Sequence, residues 1–123
     1  MEDLIIEATK STPRIQFNVE AGVLWIEGES YPENASKFFD PILVWVENFV
    51  KTGVPVELNL RLQYFNSSSS KFILDLIDIL DNHHEEGGKV KVNWHYADDD
   101  EDILESGEEF AEDLSLNFNF IPY

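Results

Sequence analysis

The feature that most constrains the fold is the alternation of apolar and polar residues in four short segments. These segments begin at Ile15, Val56, Val90 and Leu116. A period of two is typical of strands that bury one face only, because successive side chains of a strand point to opposite sides of the sheet. Parallel strands buried on both faces would instead show unbroken apolar runs. The pattern therefore predicts a sheet with one covered face and one polar, largely open face, which would carry Glu57, Asn59, Arg61, Lys89, Lys91 and Asn93.

Segments with a helical period separate these strands. Residues 23–27 complete a hairpin after a turn at Ala21-Gly22. We predict an α/β (α+β) fold in the order ββαβαβαβ, with a mixed five-stranded sheet and helices mainly on one face. Residues 1–123 would form a single domain, because this length is typical of one domain. The first ten residues have no clear period and are predicted to lie over the domain as an arm.

Proline and glycine set the predicted helix boundaries. Pro41 fits the first position of a helix, so we predict a short turn at 35–39 and then a helix from about 41 to 52 that is capped by Asp40 and ended by Gly53. The second helix would begin after the serine cluster and end at Gly87-Gly88.

The charge distribution excludes several classes of function. Eight Lys and Arg against 25 Asp and Glu give a net charge of -17, which argues against binding nucleic acid. The absence of cysteine excludes disulfides and thiolate sites. No apolar stretch is long enough for a membrane span, and we expect a cytoplasmic protein. The acidic run Asp98 to Asp102 is predicted to face solvent, either as a hydrated helix end or as a docking surface for a basic partner.

No arrangement of residues points to an enzyme. Serine, histidine and carboxylates occur without a nucleophile elbow or a phosphate-binding glycine loop. The spacing of Asp98, Asp100, Asp102 and Glu109 is similar to that of a calcium loop, but Ile103 occupies the position that requires glycine. We therefore predict no catalytic residue, metal or cofactor, and keep a small-ligand or metal-binding domain only as an alternative.

The junction Tyr64-Phe65-Asn66-Ser67-Ser68-Ser69-Ser70 is the most informative stretch, because a strand runs there into serines and then into a regular helix. A serine at this position can cap the helix by accepting a hydrogen bond from a free N–H group of the first turn. The same N–H groups and the helix dipole would also favour a phosphate. The residues alone leave both interpretations open.

The chain resembles a bacterial family, the SiaC-type regulatory phosphoproteins, which are similar in fold to the anti-sigma-factor antagonists (STAS domains). The motifs that carry the resemblance are Ser11-Thr12-Pro13, Ser30-Tyr31-Pro32-Glu33-Asn34, Trp45-Val46-Glu47, Tyr64-Phe65-Asn66-Ser67-Ser68-Ser69, Trp94-His95-Tyr96 and Gly107-Glu108-Glu109-Phe110-Ala111-Glu112-Asp113. They occur in order over nearly the whole chain.

The resemblance implies a non-enzymatic partner-switching protein. It implies phosphorylation by a serine kinase of the ATPase (GHKL) fold, dephosphorylation by a PP2C-type phosphatase, and binding of an effector when unphosphorylated. That effector would be a diguanylate cyclase that controls biofilm formation through cyclic-di-GMP. The modified residue follows the asparagine of the junction motif, which is Ser67 here, with Ser68 and Ser69 as alternatives. The predicted partner-binding residues are Tyr64, Phe65, Asn66, Ser67, Ser68 and Lys71.

Two other functions remain open at this stage. One is a constitutive acidic protein-interaction domain whose serines only cap a helix. The other is a transcription regulator of the anti-sigma-factor-antagonist type.

Overall fold

The structure is a computed structural model that describes residues 1–123. It contains six strands, namely β1 (Leu4–Ile6), β2 (Arg14–Asn18), β3 (Val23–Ser30), β4 (Val56–Phe65), β5 (Val90–Tyr96) and β6 (Asn117–Pro122). Its three helices are α1 (Ala35–Val50), α2 (Ser67–Glu85) and α3 (Glu101–Ala111). The α/β order is therefore the predicted one with one additional strand at the amino end.

The six strands lie side by side in the order in which they occur along the chain. β1, β2 and β3 are antiparallel neighbours, whereas β3, β4, β5 and β6 run parallel. Each parallel pair is joined by one helix. Such crossovers are right-handed almost without exception. Because each crossover also moves the chain to the next strand on the same side of the sheet, all three helices lie on the same face.

The covered face holds a single core of 22 buried residues. Ile15, Leu24, Leu58 and Val92 point into it from four strands and are fully buried. Helix α2 also faces the core with one apolar stripe, in which Ile79 is half-buried and the other residues are buried, namely Phe72, Ile73, Leu76, Ile77 and Leu80.

The opposite face is polar, as the alternation predicted. Glu57 lies beside Lys91 and Asn59 beside Asn93 in the register of β4 and β5. Arg61 follows on the same face, two residues after Asn59. No helix of the chain covers these side chains, and the prediction of a face without helices is confirmed. Asn59 and Asn93 are nevertheless buried on this face, which is called the open face below.

The prediction for residues 1–10 was wrong. Leu4 to Ile6 form the edge strand β1, which pairs with Phe17 to Ile15 of β2. The Asp3 carboxylate also accepts a hydrogen bond from the Val19 amide at 2.8 Å. Three residues are too few to show a period, so this strand exists through its tertiary pairing and gives no local signal.

The predicted start of the first helix was also wrong. Helix α1 begins at Ala35 and contains Pro41, and its cap is Asn34, whose side chain accepts from the Lys37 amide at 3.2 Å. Pro41 is exposed, so the carbonyl that its ring leaves without a partner, one turn earlier at exposed Lys37, can bond to water. Packing favours the longer helix, because Phe39 stacks on Phe72 with ring centres 4.1 Å apart.

None of the three helices combines the length and the hydropathy that a membrane-spanning helix needs.

Candidate functional site

The carboxyl ends of β3 and β4 bring two of the sequence motifs together. Ser30 is the register partner of Phe65, and the Asn66 amide donates to the Ser30 carbonyl at 3.0 Å. The sequence pattern predicted that β3 ends at Glu27, so the contact between Ser30 and the junction was not predicted. The strand continues through an irregularity at Gly28, whose φ of 114° suits glycine. The sequence feature that could have indicated this contact is the Ser-Tyr-Pro-Glu-Asn motif, which begins at Ser30.

The cap of α2 is Asn66 and not a serine. Its side-chain oxygen accepts from the Ser69 amide and from the Ser68 hydroxyl, both at 3.0 Å. The interpretation of the serine cluster as the cap is therefore wrong. Asparagine is among the best capping residues, and because it precedes the serines in the chain it takes the capping position. The serines occupy the first turn itself.

Ser69 has a structural role. Its side chain is fully buried, its hydroxyl donates to the Ser30 carbonyl at 2.9 Å, and the two serine hydroxyls are 2.8 Å apart. These bonds fasten the first turn of α2 to the end of β3. A kinase could reach Ser69 only if this turn opened.

Ser67 differs in every one of these respects. It is the first residue of α2, it is exposed, and its hydroxyl makes no hydrogen bond in the structure. Ser68 is half-buried, because its hydroxyl is turned back to Asn66. Among the three candidate serines, the hydroxyl of Ser67 alone is both free and accessible.

Two aromatic residues precede the serines in the chain, and their side chains point in different directions. Tyr64 is 51% exposed and meets Tyr31 edge-on, with ring centres 5.8 Å apart. Phe65 is half-buried and packs against Trp94 and Phe110, at centre distances of 6.1 and 6.2 Å. Tyr64 can therefore contact a partner, whereas Phe65 ties the junction to α3.

Lys71 lies one turn after Ser67 on the same side of α2. Its side chain is 76% exposed, and its ammonium group pairs with Asp75 at 2.9 Å. An open groove of about 270 Å³ runs between α1 and α2 and is bordered by Ser68, Lys71 and Asp75, with Phe39 and Phe72 among its lining residues. The cation and the groove extend the accessible surface around Ser67.

Comparison with known proteins identifies the family. The sequence profile described as "SiaC family regulatory phosphoprotein" matches residues 6–123. The chain belongs to the SiaC family. Its family membership, expected from the motifs, is confirmed.

Relatives of this SiaC-family protein agree with it over nearly their full length. A curated but uncharacterised protein of Pseudomonas aeruginosa strain UCBPP-PA14 is 45% identical, over 96% of this chain and 94% of its own. The crystal structure of apo-SiaC from Pseudomonas aeruginosa is 43% identical, with a TM-score of 0.92 over 98% of this chain and 99% of that one. SiaC in the crystal structure of the diguanylate cyclase SiaD with its activator SiaC, from the same organism, gives 43% identity and a TM-score of 0.95 over 98% and 100%.

The open face of this SiaC-family chain carries a directed hydrogen-bond network that sequence reasoning missed. The Asn59 amide donates to the Glu57 carboxylate at 3.0 Å. Its oxygen thereby faces β5 and accepts from the Asn93 amide at 3.0 Å and from His95 Nε2 at 2.9 Å. The Asn93 oxygen in turn accepts from Asn119 at 3.1 Å. The sequence feature that could have indicated this network is the asparagine that β4, β5 and β6 each carry at the same register position.

Two pKa values respond to this network. The Asn59 hydrogen bond and the Lys91 ammonium lower the pKa of Glu57, against an opposing contribution from burial. Burial against Trp25, whose ring centre is 5.0 Å away, and the charge of Arg61 lower the pKa of His95. The lowered pKa favours the uncharged form of His95, and in the tautomer with its proton on Nε2 this form donates to Asn59 without adding charge to the face.

The acidic segment is built into the start of α3. The Asp100 carboxylate accepts from the Ile103 amide at 3.0 Å and caps the helix, and Glu101 and Asp102 lie in its first turn. Asp98 and Asp99 are exposed, as predicted, but Asp100 is half-buried because of this bond. No group of three or more His, Asp or Glu side chains is arranged to hold a metal ion.

Proposed function

We propose that this protein is a partner-switching regulator in which reversible phosphorylation of Ser67 controls binding of an effector. The observation that carries the proposal is the free, exposed hydroxyl of Ser67 on a helix whose cap is supplied separately by Asn66. Modification of Ser67 therefore breaks none of the bonds that hold the junction. Ser68 and Ser69 remain alternatives, but each would first have to release a hydrogen bond.

The first turn of α2 suits an added phosphate. It contains no acidic residue, and a phosphoserine of about -1.5 to -2 charges would lie at the positive end of the helix dipole. Lys71 could reach the phosphate by leaving its exposed ion pair with Asp75, because exposed pairs of this kind are worth only about 0.3 to 0.5 kcal/mol. We expect the fold to tolerate the modification.

The surface properties of the junction would change far more than its structure. Tyr64, Ser67 and Ser68 are neutral residues close to Lys71 in the chain, on a protein of net charge -17, and Ser68 and Lys71 also border the groove. A phosphate on Ser67 would carry a strongly bound hydration shell, which a partner would have to remove at a cost of several kcal/mol. Phosphorylation is thus expected to release a partner that sits over the junction.

A relative supports the proposed class of partner. A SiaC protein that is 43% identical is the activator of the diguanylate cyclase SiaD and forms a complex with it. We propose a diguanylate cyclase as the effector here too, with cyclic-di-GMP as the output, a GHKL-type serine kinase that adds the phosphate and a PP2C-type phosphatase that removes it. The protein itself would act without catalysing a reaction.

Mapping the modification tests the first half of the proposal. Protein isolated from its own cells should carry phosphate on Ser67, as located by fragmentation mass spectrometry. Deletion of the kinase should remove the signal. Phosphate confined to Ser68 or Ser69 would move the site, and an unmodified junction under all growth conditions would instead support a constitutive interaction domain.

Binding measurements test the second half. Ser67→Ala should bind the cyclase as well as the unphosphorylated protein, whereas Ser67→Asp should bind at least about tenfold more weakly. Asn48→Asp is the matched control, because it adds the same charge on an exposed position of α1. Equal losses for Ser67→Asp and Asn48→Asp would show that net charge, and not the junction, determines affinity.

A further inference from the structure

Strand β6 ends the sheet with an unpaired edge. Tyr123 is the residue that follows β6. Its amide donates to the Tyr96 carbonyl and its carbonyl accepts from the Asp98 amide, so both groups of Tyr123 point towards β5. Because the backbone groups of a strand alternate in direction, those of Asn117, Asn119 and Ile121 also face β5. The N–H and C=O groups of Phe118 and Phe120 therefore point outward from the sheet, where no further strand lies.

Most of this edge lacks the features by which proteins usually block strand addition, because its one proline, Pro122, is the last residue of β6 and lies outside the Phe118-Asn119-Phe120 segment. Residues 114–123 contain no charged side chain, although the ten-residue stretch is part of a strongly acidic chain. The opposite edge is different, because β1 is only three residues long and follows Glu2 and Asp3. Short strands and charges are the common protections of an edge, and only the β1 edge has them.

We propose that β6 pairs with β6 of a second copy of this chain, antiparallel and around a two-fold axis at Asn119. In that register Phe118 faces Phe120 of the second copy, and each of these two pairs exchanges two N–H···O bonds. The outward-pointing groups of the strand match this pattern without an irregularity. A second copy is favoured as the occupant because the sequence Phe118-Asn119-Phe120 is symmetric about its centre.

The side chains fit the same register. On the open face, Asn119 donates to Asn93, and its own oxygen has no partner. Two such amides would meet across the axis and join the asparagine ladders of both sheets. On the covered face, Phe118 and Phe120 are only half-buried, with ring centres 5.2 Å apart. Their facing pairs would complete the cover of this end of the core.

Charge sets the expected strength and its salt dependence. Each copy carries -17, so the two copies repel each other, while the contact itself contains no ion pair. Added salt screens that repulsion and should tighten the dimer, whereas an interface made of ion pairs would weaken. A single strand edge is a small interface, so the association should be weak and concentration-dependent.

Analytical ultracentrifugation of the intact chain tests the proposal. From about 10 µM to about 1 mM, in about 0.5 M salt, the average mass should rise from 14.2 kDa towards twice that value. Asn119→Lys should weaken association at least about fivefold, because it places two like charges directly opposite each other. Gln16→Lys is the control, since it makes the same change on the same face at the exposed Gln16 of β2, and it should associate as the unmodified chain does.

Charge complementation makes the test specific to the two-fold axis. Asn119→Lys and Asn119→Glu should each associate at least about fivefold more weakly than the unmodified chain, and an equimolar mixture should dimerise at least as well as the unmodified chain. Circular dichroism would verify that each variant is folded. A chain that stays monomeric at all concentrations and salts, or a dimer that Asn119→Lys leaves unchanged, would overturn the proposal.

Discussion

The starts of α2 and α3 have the same architecture, but the first is neutral and the second is acidic. Both helices begin at the carboxyl ends of parallel strands, α2 after β4 and α3 after β5. Both are capped by a short side chain, which is Asn66 in α2 and Asp100 in α3. The first turn of α3 then holds Glu101 and Asp102, whereas that of α2 holds only serines. The start of α3 therefore carries a permanent negative charge of the kind that the proposed phosphorylation would add to the start of α2.

A permanent charge stabilises a helix but cannot transmit a signal. At α3, the acidic groups interact favourably with the helix dipole under all conditions. At α2, the same electrostatic position is neutral, and the proposed phosphorylation would add a charge there. In this proposal the structural and regulatory roles belong to different residues at the start of α2, because Asn66 and Ser69 hold the turn and Ser67 remains free.

The largest effect is expected when a charge is placed at the wrong serine of α2. Ser69→Asp would bury a carboxylate against Ser30 and should lower the free energy of unfolding by about 3 kcal/mol or more. Ser67→Asp should leave that energy the same or slightly higher. Urea unfolding followed by circular dichroism measures both. If the two variants were equally stable, the division between a structural and a free serine would not hold.

The two caps should matter about equally. Asn66→Ala and Asp100→Ala each remove the acceptor of a first-turn amide and should each destabilise the protein by about 1 kcal/mol. Asp78→Ala removes an exposed side chain in the middle of α2 and serves as the control in the same unfolding experiment. A cap substitution no more costly than this control would contradict the role assigned to that cap.

The smallest effect concerns the first-turn charges themselves. Glu101→Gln with Asp102→Asn should destabilise the protein, and Ser67→Asp should stabilise it, each charge being worth roughly 0.3 to 1 kcal/mol at low salt. Both changes should shrink as salt is added, because these positions are exposed. Melting temperatures at about 20 mM and about 500 mM salt compare them. Shifts of the same sign for the two variants would show that the dipole is not the cause.

Sequence reasoning could predict most of the fold, because the strands and helices that build the core repeat their pattern over several turns or residue pairs. It failed where a tertiary contact overrode a local signal. Pro41 is a strong local start signal, yet the stacking of Phe39 on Phe72 extends α1 beyond it. Strand β1 depends entirely on its pairing with β2.

The candidate site was predicted in part for the same reason. Residues 64–71 are contiguous, so the junction could be located from the chain alone, whereas Ser67 was singled out within it only by the family resemblance. Ser30 lies 39 residues before Ser69, and nothing local shows that their hydroxyls meet. The choice of Asn66 over the serines as the cap also needed the backbone, because all of these residue types cap helices well.

The central claim is that a phosphate on Ser67 releases the effector and leaves the fold intact. The most direct test is isothermal titration calorimetry of the cyclase with protein that carries phosphoserine only at position 67, compared with the same protein after phosphatase treatment. We expect at least about tenfold weaker binding of the phosphorylated form, a loss of about 1.4 kcal/mol or more, with unchanged circular dichroism. Equal affinities of the two forms would contradict the account.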